Sequence, residues 1–169
     1  MEPLDFKTEL SLSELKYLLS YDKNTGYFTW KNHENVHRKT RGKIAGATSN
    51  GYIKIKINKV PYLAHRLAWF YCFNVWPSII DHIDGDRSNN SILNLREATK
   101  SQNGANSTIR KDNKSGLKGV SYEEKRNKFV AAIRVNGKDY KLGRFVNSDD
   151  AAKAYEMAAK KHFGEFAKY

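Results

Sequence analysis

Cysteine is all but absent: Cys72 is alone in 169 residues, so intramolecular disulfides are excluded and no cysteine cluster can hold a structural zinc. Acidic residues are also short, eighteen Asp and Glu against thirty Lys and Arg, giving a formal charge of +12. That excess points to a polyanionic partner, with nucleic acid ahead of an anionic membrane surface. No run approaches the roughly 20 apolar residues that span a bilayer, since the aromatic stretch from Ala68 to Phe73 stops at Asn74. The opening "MEPLDFKTEL" carries acids and lacks a signal-peptide core, so a reducing cytoplasm is the expected location.

What is present has the length for one ordinary domain or two small ones. Ser11 and Glu14 form a capping-box pattern, and Leu12, Leu15, Leu18 and Leu19 follow at helical spacing. A turn at Asn24 to Gly26 precedes a β-prone run from Tyr27 to Trp30. In "GYIKIKINK", Ile53, Ile55 and Ile57 alternate with Lys54, Lys56 and Lys59, which turns the isoleucines inward. Lys54 and Lys56 then serve either as a solvated edge that resists aggregation or as phosphate contacts. "HRLAWFYCF" reads as a short buried helix ending before Trp76-Pro77; His65 and Arg66 beside it are either structural or close to a phosphate.

The chemistry concentrates in "IIDHIDGDRSNNSILNLREATKSQN", residues 79–103, with three Asp, one His and four Asn. Ile79 and Ile80 deliver Asp81 and His82 at a strand end; a polar loop leads to a second strand at Leu95 to Ala98 and then to a helix capped by Thr99 and Gln102. This path can bring Asp81, His82 and Asn103 together. Asp81 and Asn103 supply oxygen ligands for a hard divalent cation such as magnesium, and a neutral His82 can take a proton from water. Together they describe a phosphodiester hydrolase. The competing reading of such residues is a polar turn that satisfies its own backbone, and it is preferred for Asp84, Asp86, Asn89 and Asn90. A calcium loop starting at Asp84 fails, because its sixth position is Asn89 and its last is Leu95. Zinc lacks a second His or Cys near His82. Arg96 is either a phosphate clamp or solvent-facing.

"DHIDGDRSNNSILNLREATKSQN" resembles the HNH, or ββα-metal, motif of phage-type homing endonucleases, and "TGYFTW…NGYIKIKINKVPYLAHRLAWFY…WP" resembles the region preceding it in such proteins. The resemblance covers residues from about 20 to 106. It implies His82 as general base, Asp81 and Asn103 as metal ligands, and Asn94 as the residue that brace the loop. Asn103 stands where many relatives have His. Magnesium is the implied ion, with manganese as the alternative, and the location becomes a bacterial host cytoplasm if the chain is phage-encoded.

After Asn103, "GANSTIRKDNKSG" reads as a linker, dividing the chain into 1–106, a linker at 107–116, and 117–169. The third segment carries Asn136-Gly137, a strong hairpin signal. With Val135 opposite Lys138, the register pairs Ile133 with Tyr140, Ala131 with Leu142 and Arg134 with Asp139. Phe129, Ala131, Ile133 and Leu142 then share the buried face. Ser148 is the expected cap of a final helix running to Gly164, with Ala151, Tyr155, Ala158, Ala159 and His162 as its packing stripe. Residues 118–144 hold eight basic side chains and three acids, whereas 148–163 hold three of each, so the sheet is the expected DNA face. This segment resembles the Apetala-two/ERF DNA-binding domain, which implies Lys125, Arg126, Lys128, Arg134, Lys141 and Arg144 as DNA contacts.

The fold class expected is α+β: a ββα-metal nuclease domain followed by a three-stranded antiparallel sheet packed on one helix. The function expected is metal-dependent cleavage of double-stranded DNA, one strand per active site, by a monomer or homodimer with no membrane and no small-molecule substrate. The alternative is a non-catalytic DNA-binding regulator.

Overall fold

The computed structural model describes residues 10–109 and 112–169. Most of the amino-terminal "MEPLDFKTEL" and two residues of the expected linker, Arg110 and Lys111, lie outside them. The chain forms two compact units, Met1–Glu97 and Ala98–Tyr169. The division falls ahead of the expected 107–116 linker. Among the described residues no helix is long and apolar enough to cross a membrane.

The first unit opens with helix α1 (Leu12–Leu18), where the Ser11 side chain accepts from the Glu14 amide at 3.1 Å. Strands β1 (Leu19–Tyr21) and β2 (Phe28–Trp30) pair antiparallel. Between them Asp22 Oδ1 accepts from the amides of Asn24 and Thr25, so the acid itself shapes the turn. A second antiparallel sheet, ordered β3-β4-β5, comprises β3 (Ala47–Ser49), β4 (Tyr52–Ile57) and β5 (Val60–Leu63). The expected alternation holds on β4: Ile55 and Ile57 are buried while Lys54 and Lys56 are exposed. Helix α2 (Ala64–Phe73) sends His65, Leu67, Ala68 and Phe70 inward and ends on Asn74 in the left-handed region. Strands β6 (Ile80–His82) and β7 (Leu95–Glu97) form a third antiparallel pair. Ile80 and Leu95 belong to the same apolar core as Leu15, Phe28, Ile55 and Leu67, which anchors this hairpin to the rest of the unit.

The second unit begins with helix α3 (Lys100–Asn106), whose capping box between Thr99 and Gln102 is complete. The Lys118 ammonium donates to the carbonyls of Ala105 and Ser107 at the end of this helix. Burial, assisted by the nearby charge of Lys168, lowers the Lys118 pKa to about 8. Strands β8 (Val120–Glu123), β9 (Lys128–Val135) and β10 (Lys138–Phe145) make an antiparallel sheet ordered β10-β9-β8, and helix α4 (Ser148–Phe163) packs on it. Gly119 has φ 68°, and a Cβ there would lie 2.0 Å from the Tyr155 ring, so both the backbone and the packing of α4 require glycine.

Three expectations for this unit need correction. The hairpin register holds from Lys138 to Lys141, but Gly143, not Leu142, pairs with Ala131. A bulge inserts Leu142, which keeps that side chain on the apolar face among Phe129 and Ala154. Asn147, not Ser148, caps α4, accepting from the Asp150 amide at 2.8 Å. The helix also buries Phe163 in place of His162, which is exposed. Replacing Asn147 with Ala is therefore expected to cost about 1 kcal/mol of unfolding free energy, while Ser148→Ala costs less than half of that, measurable by urea titration of the whole chain.

Candidate active site

The site grows from the β6–β7 hairpin. Asp81 lies opposite Arg96 in the strand register, and His82 lies opposite Leu95. The Asp81 side chain is 4 % exposed, and both Nε and Nη2 of Arg96 donate to its Oδ2 at 2.9 Å. Burying a carboxylate is costly unless a cation and hydrogen bonds replace its water. Arg96, expected as a phosphate clamp or a solvent-facing residue, thus pairs with Asp81.

The connecting loop is held by its own polar side chains. Asn94 accepts from the Asp84 amide at 3.0 Å and donates to Asp84 Oδ1 and the Asn89 carbonyl, each at 2.9 Å. Asn89 donates to Asp84 Oδ2 at 2.7 Å, and Asp86 Oδ1 accepts from the Ser88 amide and hydroxyl. Partial burial pushes the Asp84 carboxyl up, but the hydrogen bonds from Asn89, Asn94 and the Asp86 amide outweigh it and hold the group below its ordinary value. Asp84, Asp86 and Asn89 are turn residues, as their composition suggested.

Asn90 departs from that reading. Its Nδ2 donates to the Ser88 carbonyl at 3.0 Å, which turns Oδ1 toward His82 Nε2 at 3.4 Å. An amide oxygen only accepts, so the proton of neutral His82 sits on Nε2 and the lone pair on Nδ1. The Asn90 backbone is fixed in turn from the β1–β2 hairpin. Tyr21 donates its hydroxyl to the Asn90 carbonyl at 2.7 Å, Ser91 donates to the Lys23 carbonyl at 3.1 Å, and the amide of Ile92 donates there at 3.0 Å. Gly26, at φ 75°, faces this segment so closely that a Cβ would lie 2.3 Å from the Asn90 carbonyl carbon.

Burial lowers the pKa of His82, and the bond to Asn90 with the charges of Asp84, Asp81 and Asp86 only partly offsets it. The imidazole is therefore neutral at pH 7 and able to accept a proton. His65, from α2, meets His82 edge to face at 5.0 Å between ring centroids. Its Nδ1 is buried and has no hydrogen-bond partner among the described residues. Burial, then the proximity of His82 and Arg66, drives its pKa down to about 3.

Among the described residues no group of three or more His, Cys, Asp or Glu side chains is arranged to hold a metal ion. The donor chemistry still fits a hard divalent cation. A carboxylate offers about four acceptor sites, so Arg96 and an ion can share Asp81, and magnesium takes most of its shell from water and phosphate. Asn103 stands exposed on α3 in the second unit. Of the expected DNA contacts, Lys54, Lys56, Lys125, Lys128 and Lys141 are exposed; Arg126 and Arg144 pair with Glu123, and Arg134 pairs with Asp139 at 2.7 Å. These surface pairs are weak enough to exchange for phosphate. Lys125 and Arg126 lie on a single turn of 3-10 helix between β8 and β9, not on a strand.

A short antiparallel pair that presents a neutral histidine beside a buried carboxylate has the makings of a phosphodiester-cleaving centre. The sequence profile described as HNH endonuclease matches residues 62–105, which span β6, the loop and β7. An uncharacterized HNH endonuclease of Acanthamoeba polyphaga mimivirus is 35 % identical over 88 residues, 52 % of this chain and 44 % of that protein. Protein 3.8 of Escherichia phage T7 is 33 % identical over 90 residues, 53 % of this chain and 74 % of that protein. The chain belongs to the HNH endonuclease family. It spans less than half of the mimivirus relative. No solved structure matches it. HNH nucleases typically use a divalent metal ion.

Two outcomes are expected. Stability should fall as pH drops from about 6.5 toward 4, because the unfolded chain protonates His65 while the folded chain does not; His65→Leu should flatten a slope of up to about 1.4 kcal/mol per pH unit in urea unfolding. Asn90→Ala should release the fixed tautomer of His82, seen as a shift of its ring nitrogen-15 resonances from the Nε2–H pattern toward a mixture.

Proposed function

We propose that this chain is a metal-dependent DNA endonuclease of the homing type, which cuts one strand of the duplex at each active site. The observation that carries the reading is His82, buried and neutral, with its Nε2 proton held toward Asn90 and the Asp81 carboxylate next to it. His82 Nδ1 takes the proton of a water whose oxygen attacks phosphorus. The bond from phosphorus to the 3′ oxygen breaks, leaving a 5′ phosphate and a 3′ hydroxyl that collects its proton from solvent. Asp81 would offer an oxygen ligand to the ion, magnesium before manganese, and the ion would supply positive charge to offset what grows on the leaving oxygen. Arg96 holds the Asp81 carboxylate in place through Nε and Nη2. Asn94 ties the loop that follows the general base.

The second unit reads as an Apetala-two/ERF-type module that binds the duplex through the basic residues of its sheet and of the turn between β8 and β9, Lys125, Arg126, Lys128, Arg134, Lys141 and Arg144. Lys54 and Lys56 add phosphate contacts from the first unit. Tethering makes docking of the nuclease effectively intramolecular, so a weakly binding catalytic unit acts where its partner is seated.

Supercoiled plasmid carrying candidate targets should convert to open circles with magnesium and remain supercoiled with EDTA. His82→Ala should slow conversion by at least about 100-fold. Linear product would indicate paired cuts. Tight duplex binding with no cleavage under any divalent metal would replace the nuclease by the regulator.

A further inference from the structure

Arg87, in the loop between β6 and β7, is the basic residue whose placement the site has not yet explained. Its guanidinium carbon lies 5.0 Å from the centroid of the Tyr52 ring. Tyr52 begins β4, and its ring lies 6.2 Å from His82 and 5.4 Å from His65 between centroids. The aliphatic stem crosses the tight turn before β4: a Cβ built on Gly51 would sit 3.7 Å from Arg87 Cδ. The cation thus lies over the aromatic wall of the histidine pair while the residue itself stays exposed.

The acids of the same loop do not claim it. Asp84 is occupied by Asn89, Asn94 and the Asp86 amide, and Asp86 by Ser88. Among the described residues Arg87 makes no hydrogen bond or ion pair. Stacking engages the face of a guanidinium and leaves its N–H edges for other partners. Those edges match two oxygens of one phosphate.

We infer that Arg87, seated on Tyr52, is a phosphate-binding residue that grips the DNA backbone of the strand presented to His82. The inference rests on the nuclease reading for what His82 does, but the binding contact can be tested without cleavage. Tyr52 acts through Arg87 as its platform. A lysine at position 87 would keep the charge but lose the planar fork.

The test uses the full chain, a mixed-sequence duplex in EDTA, and plasmid nicking with magnesium as a separate assay. Arg87→Ala should weaken duplex binding and reduce the slope of log affinity against log salt by about 0.9, the loss of one phosphate contact. Arg87→Lys should retain the slope yet nick at least about tenfold more slowly than wild type, because the bidentate geometry is lost. Tyr52→Phe should behave as wild type and Tyr52→Leu should approach Arg87→Lys in nicking, with thermal unfolding run alongside to confirm that each variant is folded. An unchanged salt slope in folded Arg87→Ala, or no duplex binding by wild type, would overturn the inference. A wild type that binds with the expected slope difference but never nicks would leave the phosphate contact standing and overturn the nuclease reading instead.

Discussion

Asp81 and Arg96 must face each other. Burying a carboxylate is costly by several kcal/mol unless a cation and hydrogen bonds replace its water, and in this hairpin Arg96 does so across the two strands. The pairing leaves little freedom elsewhere. A slip of one residue would turn Asp81 and Arg96 to opposite faces and draw either Ile80 or Leu95 out of the apolar core. The position of His82 follows, since it is the next residue on the strand. The ion pair therefore sets the position of His82 as well as the charge carried by the residue before it.

Around that pair the loop is built for rigidity rather than for collecting ligands. Three of its polar residues, Asp84, Asn89 and Asn94, bond to one another. Asn90 alone turns its amide to the imidazole, and Arg87 leaves the network for an aromatic surface. The same short segment thus separates structural from chemical duties residue by residue. His65 adds a further cost: a buried nitrogen with no partner among the described residues, in contact with His82, is a departure from good packing placed at the site.

Local patterns were legible in the sequence where the controlling physics is local. The Thr99 capping box, the Ile-Lys alternation of β4, the turn at Asn136-Gly137 and the strand carrying Asp81 and His82 all depend on neighbours a few residues apart. The failures have the same logic. Asn147 and Ser148 are both good caps, and only the direction in which the chain enters α4 selects between them. The bulge at Leu142 arises because an apolar side chain on the wrong parity can still reach the core when the strand admits one extra residue. Asn90 reads as another loop asparagine because nothing in its spacing reveals His82, and the seat of Arg87 on Tyr52 leaves no local pattern because the two are distant in sequence. The pairing of Arg96 with Asp81 was readable in principle, as the charges fall opposite once the two strands are aligned.

Gly26 carries a consequence for modularity. It lies in the turn between β1 and β2, well before residues 62–105 that carry the family's signature, and its missing side chain lets that turn press against the Asn90 backbone. Tyr21 and Lys23 complete the same support. A transplant of the signature segment onto another scaffold would bring Asp81, His82 and Asn94 but leave behind the struts that aim Asn90. The portable part of this domain is therefore larger than its motif, and recombination that cuts between the two would inherit the motif's residues without their alignment.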